Sequence, residues 1–475
     1  MSYQPDIVVV MSDEHSPRFS SVYGHPIVRT PNMDRLATEG AVFDAAYCSS
    51  PQCVPSRMSF MTSQHPSRTG AWDNGAPLPS DIPTFAHALR KLGYETVLIG
   101  KMHFIGPDQL HGFEVRLVDD SRVCGTWIEA PDWDNADAPR DKARSRATNS
   151  GPGRTTHIEQ DEEVLAATIA YLDEVKRRDK KLRRPLFLCV SFNAPHFPLI
   201  APKYFDDYWP DNVDMPQVSQ AEIENLHPFH KRLRSYFDIK DLRDDETKKA
   251  RAAFYALTTW LDELLGQILN KIDTTYADDE NQPLFVYISD HGEMAGEHGL
   301  WWKCCFFEDS ARVPMILRWP GLIDQNLRVK TPVTLMDLAA TFVSVAGGEN
   351  DPIAQSFLNE ADGENLLGFA CGQEKPDRHV ISEYLSNAAT QPIRMIRRGK
   401  WKYVYYHGEP DELYDLEDDP SEITNLSGIS EHKRVEDELR SLLLKDWDVE
   451  VVARRVRRSQ IARRLIAASE GNGTF

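Results

Sequence analysis

The chain has 475 residues, 41% hydrophobic and 27% charged, the balance of an ordinary folded protein of two or three domains' length, which excludes a disordered chain, a fibre and a collagen-like repeat. Lysine and arginine number 54 against 73 aspartates and glutamates, a formal net charge of −19, so nucleic-acid binding through a basic face is not expected. No apolar run approaches the roughly 18 residues that span a bilayer, the N-terminal MSYQPDIVVVMSDE lacks the basic region and long apolar core of a signal peptide, and the seven cysteines contain no C-x-x-C, so a cytoplasmic protein without membrane contact is expected.

Residues 7–11 (IVVVM) are apolar throughout, as in a strand buried on both faces. Residues 31–39 read as a helix with Pro31 in its first turn. Cys53 precedes Val54-Pro55-Ser56-Arg57, and the proline again fits a first turn, which puts Cys53 at a helix N-terminus. There the dipole and the free amides favour an anion and lower a thiol pKa. Arg57, one turn on, would offer a second anion contact. The plain alternative is a buried structural cysteine ahead of an ordinary helix.

Residues 83–92 read as a helix stopped by Gly93, and 96–99 as a second buried strand. Residues 119–159 read as a long loop, 162–176 as a helix, and 186–192 as a third strand. A second irregular stretch covers 205–245 with Pro210, Pro216 and Pro228; 248–272 is a long helix and Leu284–Ser289 a fourth strand. Strands alternating with helices predict an α/β fold with a largely parallel, helix-flanked sheet. Near residue 370 the pattern changes. Residues 393–406 alternate like a strand, 407–411 turn it, 412–416 return it, and 431–446 form an amphipathic helix. The expected units are a catalytic α/β domain over 1–370, an α+β subdomain over 371–450, and a basic helical tail over 451–475. That tail carries Arg454, Arg455, Arg457, Arg458, Arg463 and Arg464. It reads either as a solvated helix or as an arm docking on an acidic neighbouring subunit of a dimer or tetramer.

Polar residues follow each of these strands: Asp13 and Glu14, then Lys101 and His103, then His196, then Asp290 and His291. Ligands of open α/β sheets bind beyond the carboxyl ends of the strands, so these strand ends predict one assembled site.

The C-V-P-S-R run at 53–57 resembles the C-x-P-S-R signature of type I sulfatases, in the alkaline phosphatase superfamily. Further elements resemble that family in order along almost the whole chain: Ser12-Asp13, Gly100-Lys101-Met102-His103, Ser289-Asp290-His291-Gly292-Glu293, Gly299-Leu300-Trp301-Trp302-Lys303, and residues 401–425. The Asp290-His291 pair is similar to choline sulfatases and phosphonate monoester hydrolases. Tyr23-Gly24-His25-Pro26, residues 100–113 and 299–307, and Ser310-Ala311-Arg312-Val313-Pro314 resemble choline sulfatases most closely. Residues 134–157 depart from them, where those enzymes place part of the substrate pocket.

The resemblance implies a large mixed, mostly parallel sheet flanked by helices, with a smaller C-terminal α+β subdomain built on an antiparallel sheet. It implies a sulfatase that cleaves a small organic sulfate monoester, choline-O-sulfate-like or aryl. A formylglycine-generating enzyme would oxidise Cys53 to formylglycine, whose hydrate attacks sulfur. Asp13, Asp290, His291 and modified Cys53 would hold one divalent metal ion, Ca2+ first, with Mn2+ or Mg2+ as alternatives. Arg57 would neutralise charge, Lys101 and Lys303 would hold sulfate oxygens, His196 or Lys303 would protonate the leaving alcohol, and His103 would take the second hydroxyl's proton. Glu14 would sit at the margin of the metal shell. Asn74 and Trp72 would line the pocket. Trp127 and Trp133 would face a quaternary ammonium or merely anchor their loop, and Glu383 would pair with a cationic substrate. A phosphonate monoester or phosphodiester hydrolase is the first alternative. A silent binding protein, if Cys53 stays unmodified, is the second.

Overall fold

The structure, a computed structural model, describes residues 4–120, 130–140, 143–179 and 182–470. At its centre lies an eight-stranded sheet. From one edge the strands run Leu327–Val329, Ala41–Phe43, Met315–Arg318, Leu284–Ser289, Ile7–Asp13, Leu186–Pro195, Glu95–Gly100 and Val115–Arg116. The Ile7–Asp13 strand pairs in parallel with Leu186–Pro195 on one side and Leu284–Ser289 on the other, and Glu95–Gly100 extends the parallel block. Met315–Arg318 is antiparallel to both of its neighbours, so the sheet is mixed and mostly parallel.

The continuous apolar runs have the cause expected of them. Val8 and Val10 belong to one core cluster, while Ile7, Val9 and Met11 belong to the other. Alternate side chains of one strand thus feed two cores, one on each face of the sheet. On one face lie the helices Thr156–Arg177 and Asp244–Thr275; on the other lie Cys53–Thr62, Phe85–Lys91 and Leu335–Val345.

Two glycines let the strand ends come together. Gly100 ends its strand at φ +98°, and a Cβ there would fall 2.1 Å from the Ser191 carbonyl oxygen. At Gly292 a Cβ would fall 2.0 Å from the Asp309 carbonyl oxygen. Only glycine permits these approaches.

The C-terminal part is a four-stranded antiparallel sheet in sequence order: His379–Tyr384, Ile393–Arg398, Trp401–Tyr406 and Glu412–Asp415. Residues 393–406 are therefore two strands rather than one. They turn at Gly399, whose φ of +55° is left-handed. Residues 205–245 are also more ordered than expected, with helices at Phe205–Tyr208, Gln220–Asn225 and Pro228–Tyr236. Pro228 sits in a first turn instead of breaking a helix.

The basic tail is the helix Val449–Glu470, and four of its arginines make contacts within its own chain. Arg463 pairs with Asp73, Arg464 with Asp132, and Arg457 with Asp134, while Arg455 donates to the Ser67 carbonyl. These contacts engage four of the six arginines that the sequence reading set out for docking on a neighbouring subunit. Among the described residues no helix is long and apolar enough to cross a membrane.

Candidate active site

Cys53 is the first residue of the helix Cys53–Thr62, with Gln52 extended before it. Asn74 Oδ1 accepts the Val54 backbone N–H at 3.0 Å, which steadies this end of the helix. Asp13 comes from the end of the central strand, and Asp290 and His291 directly follow the neighbouring strand Leu284–Ser289. Asp13, Cys53, Asp290 and His291 are all buried and each offers a ligand atom within 4.8 Å of the others.

His291 Nε2 lies 3.2 Å from Cys53 Sγ, 3.6 Å from Asp290 Oδ1 and 3.8 Å from Asp13 Oδ1. Its Nδ1 lies 3.0 Å from the Gly292 carbonyl, an acceptor, so the proton sits on Nδ1 and the Nε2 lone pair faces the carboxylates. An imidazole, a thiol and two carboxylates directed at one point form a donor set that fits a divalent cation. A mostly oxygen shell suits Ca2+, Mg2+ or Mn2+.

Arg57 locks this arrangement. It has no exposed side-chain surface, and its Nε donates to Asp290 Oδ2 at 2.7 Å while Nη2 donates to Asp13 Oδ2 at 2.9 Å. Nη1 donates to the Lys101 carbonyl at 2.7 Å and to Ser191 Oγ at 3.0 Å. The expected anion contact is thus mostly committed to the metal-site carboxylates. Arg57 is placed to orient them.

Lys101 Nζ lies 2.7 Å from Asp13 Oδ2. Burial opposes the Asp13 charge, but Lys101, His196, Arg57 and His291 together hold its carboxyl well below the ordinary range. Glu14 forms a second group with Asp13 and His196. Its Oε2 accepts from Lys303 Nζ at 2.9 Å and lies 3.2 Å from His196 Nε2. Burial pushes Glu14 up to about 8 against the pull of Lys303. His196 is lowered well below its usual value by burial and by Lys303, and its Nδ1 lies 2.6 Å from the Phe197 carbonyl.

The expectation of a depressed Cys53 thiol fails. Burial and the Asp13 carboxylate push the thiol up to about 11, overriding Lys303 and Lys101. A plain thiol here stays protonated at neutral pH and makes a poor nucleophile.

Beside Gln52, the residue before Cys53, opens a cleft of about 450 Å3. His196, Lys303 and Asn74 line it, with Phe197, Tyr236, Phe237 and Trp302 as aromatic walls. His103 is buried on the loop after Gly100, its backbone N–H held by Asp120 at 3.0 Å. Trp127 lies outside the described residues. Trp133 takes the anchoring role, donating to the Ser386 carbonyl at 3.0 Å. Trp72 is buried beneath Arg455.

Glu383 requires a correction. Its carboxylate accepts the Ser67 N–H at 2.8 Å and the Ser67 hydroxyl at 2.9 Å, and lies 3.2 Å from Arg394 Nε. Fully buried in these contacts, it braces the short helix Pro66–Thr69 that follows the Cys53 helix and is not among the residues lining the cleft. Asp161, Arg140 and Arg146 are further residues that motif reasoning passes over. Asp161 accepts the backbone N–H groups of Asn193 and Ala194 at 2.7 and 2.8 Å, fixing the strand end that delivers His196. An acid on the buried face of its helix was the available signal. Arg140 and Arg146 line the cleft from the long loop, where spacing carries no information.

The sulfatase family model matches residues 5–348, and a model of the C-terminal part of N-sulphoglucosamine sulphohydrolase matches residues 296–448. A choline-sulfatase of Rhizobium meliloti (strain 1021) is 36% identical over 484 residues, covering 99% of this chain and 92% of its own length. An arylsulfatase of Clostridium perfringens is 28% identical over 470 residues, covering 94% of this chain and 95% of its own. Among solved structures, the phosphonate monoester hydrolase of Agrobacterium radiobacter has the same fold, with a TM-score of 0.74, 22% identity and 96% of each chain covered. With a family match over most of its length and relatives aligned nearly end to end, the chain belongs to the sulfatase family and is a sulfuric ester hydrolase.

Proposed function

We propose that the protein hydrolyses a small organic sulfate monoester, using Cys53 as formylglycine and one divalent cation, Ca2+ before Mn2+ or Mg2+. The observation that carries this reading is the convergence of Asp13, Asp290 and His291 on Cys53 at a helix N-terminus. The raised Cys53 thiol supports it further, since the unmodified side chain is a weak nucleophile where a strong one is needed. Oxidation and hydration would supply a geminal diol at Cys53, and the cation held by Asp13, Asp290, His291 and that residue would lower the diol's pKa and offset the charge of the sulfate.

The chain's own groups do the rest. Arg57 keeps the two aspartates in position. Lys101 and Lys303 place two ammonium groups beside the site to hold sulfate oxygens. His196 and Lys303 both touch Glu14 and both line the cleft, so the proton for the leaving alcohol comes from one of them. His103 accepts the proton whose loss precedes sulfate release. The names of the relatives, a choline-sulfatase and an arylsulfatase, agree with sulfate monoesters as substrates.

The test is kcat/KM on an aryl sulfate, choline-O-sulfate, a phosphonate monoester and a phosphodiester. The protein is made together with a formylglycine-generating enzyme and supplied with Ca2+ or Mn2+. A sulfate ester should lead. A lead for the phosphonate or diester would move the function to that second reading, which the shared fold of the Agrobacterium enzyme motivates.

A further inference from the structure

Gln52 is the extended residue at the N-cap of the Cys53 helix, yet its side chain does not cap that helix. A capping side chain accepts the N–H of the second or third helical residue. Here the second, Val54, already donates to Asn74 Oδ1 at 3.0 Å, and the third, Pro55, has no N–H. The Gln52 main chain is committed too, donating to the Ser50 carbonyl at 2.7 Å and accepting the Ser56 N–H at 3.0 Å. The side-chain amide is left over. Gln52 is 2% exposed, and its Oε1 is buried with no hydrogen-bond partner.

A buried acceptor without a donor has lost its water without compensation. This one belongs to a residue in the wall of the cleft, one position before the nucleophile. His196 and Lys303, which serve the sulfate end, line the same cleft, so the alcohol carbons nearest the ester oxygen would lie against Gln52. The terminal torsion of a glutamine side chain is soft, so the amide can turn toward an entering group without moving the backbone. What the amide oxygen lacks is an O–H or an N–H. A trimethylammonium group or a bare aryl ring brings neither and would leave the acceptor buried and unpaired. A site built to bond a hydroxyl rejects the analogue without it for that reason.

We propose that Gln52 is a specificity residue whose Oε1 accepts a hydrogen bond from a hydroxyl or amino group on the carbon next to the one that bears the sulfate. The substrate class is then a sulfate monoester of a vicinal diol or a vicinal amino alcohol. The proposal rests on the sulfatase reading for the bond that is cleaved and on the unpartnered amide of Gln52 for the neighbouring donor.

The test compares kcat/KM for 2-hydroxyphenyl, 2-fluorophenyl and 2-methylphenyl sulfate. The three differ little in size, and the fluoro ester has the best leaving group and the methyl ester the worst. Leaving-group ability alone therefore puts the hydroxy ester between the other two. Recognition by Gln52 should put it first, by about tenfold over the fluoro ester, as for one hydrogen bond to a group otherwise left unpaired. In Gln52→Met, which keeps the length and removes the acceptor, the hydroxy ester should fall back between the other two. In Gln52→Glu, which keeps an acceptor, it should still lead. Ratios measured within one preparation do not depend on how much Cys53 is converted to formylglycine. A hydroxy ester ranked between the others in the unaltered protein, or an unchanged lead in Gln52→Met, would overturn the proposal. Turnover of none of the three by formylglycine-bearing protein would instead defeat the sulfatase reading. The same three phenols presented as methylphosphonate esters then carry the comparison, and the hydroxy ester must lead there or the proposal falls as well.

Discussion

Arg463 and Asp73, 390 residues apart in sequence, meet in a two-point ion pair with both side chains buried. Asp73 also accepts the Gly75 N–H, and its neighbour Asn74 accepts the Val54 N–H in the first turn of the Cys53 helix. The last helix of the chain is thus tied to the turn that supports the nucleophile. Removing one partner leaves a buried charge unpaired, which costs about 3–5 kcal/mol. Arg463→Met should lower the midpoint of thermal unfolding and reduce kcat. Pairing it with Asp73→Asn should cost less than the sum of the two single changes. An unchanged unfolding midpoint in Arg463→Met would show that the pair does not form in solution.

Arg57 donates to both candidate metal-ligand aspartates from one rigid group. Lysine cannot reproduce that fork. Arg57→Lys should weaken metal binding by about 10–100-fold, the usual effect of losing a partner that orients a ligand. Calorimetric titration of the metal-free protein reads this directly. Unaltered affinity would mean that Asp13 and Asp290 are held by other contacts.

Chelation should abolish turnover and lower thermal stability together. A cation present at a hundredfold its dissociation constant stabilises the folded state by about 2.7 kcal/mol. Differential scanning calorimetry with and without chelator measures the loss. Ca2+ should restore both properties, with Mn2+ or Mg2+ as the tested alternatives. Full activity after exhaustive chelation would remove the metal from the account.

Cys53→Ser should stall. A serine hydroxyl can take the sulfuryl group once, but it lacks the second hydroxyl whose deprotonation expels sulfate. Intact-mass measurement after incubation with an aryl sulfate should show one added sulfuryl group and no sustained turnover. Repeated turnover at the normal rate would contradict the diol mechanism.

The strands that carry the site were legible because each is buried on both faces and therefore apolar almost throughout. Leu284–Ser289 matches its expected bounds, and the central strand extends from residue 11 to Asp13. Asp13, Lys101, His196, Asp290 and His291 were legible because they directly follow such runs. The hairpin within residues 393–406 was missed because alternation continues on both sides of its tight turn at Gly399. Local pattern reports a residue's place in an element but not its distant partner. Glu383 looked like a pocket carboxylate, yet its partners Ser67 and Arg394 come from separate elements. Arg57 looked like an anion contact, yet four of its five N–H donors go to Asp13, Asp290, Ser191 and the Lys101 carbonyl. The thiol at Cys53 was misjudged for the same reason. The helix terminus was visible in the sequence, whereas the burial and the Asp13 charge that outweigh it belong to the assembled site.

The central claim is that turnover depends on Cys53 converted to formylglycine. The most direct measurement takes preparations made with graded amounts of a formylglycine-generating enzyme. The converted fraction of the Cys53 peptide is determined by mass spectrometry, and inorganic sulfate release from an aryl sulfate is measured on the same samples. Activity should rise in proportion to conversion, on a line through the origin. Sulfate release that is independent of conversion, or undiminished in Cys53→Ala, would contradict the account.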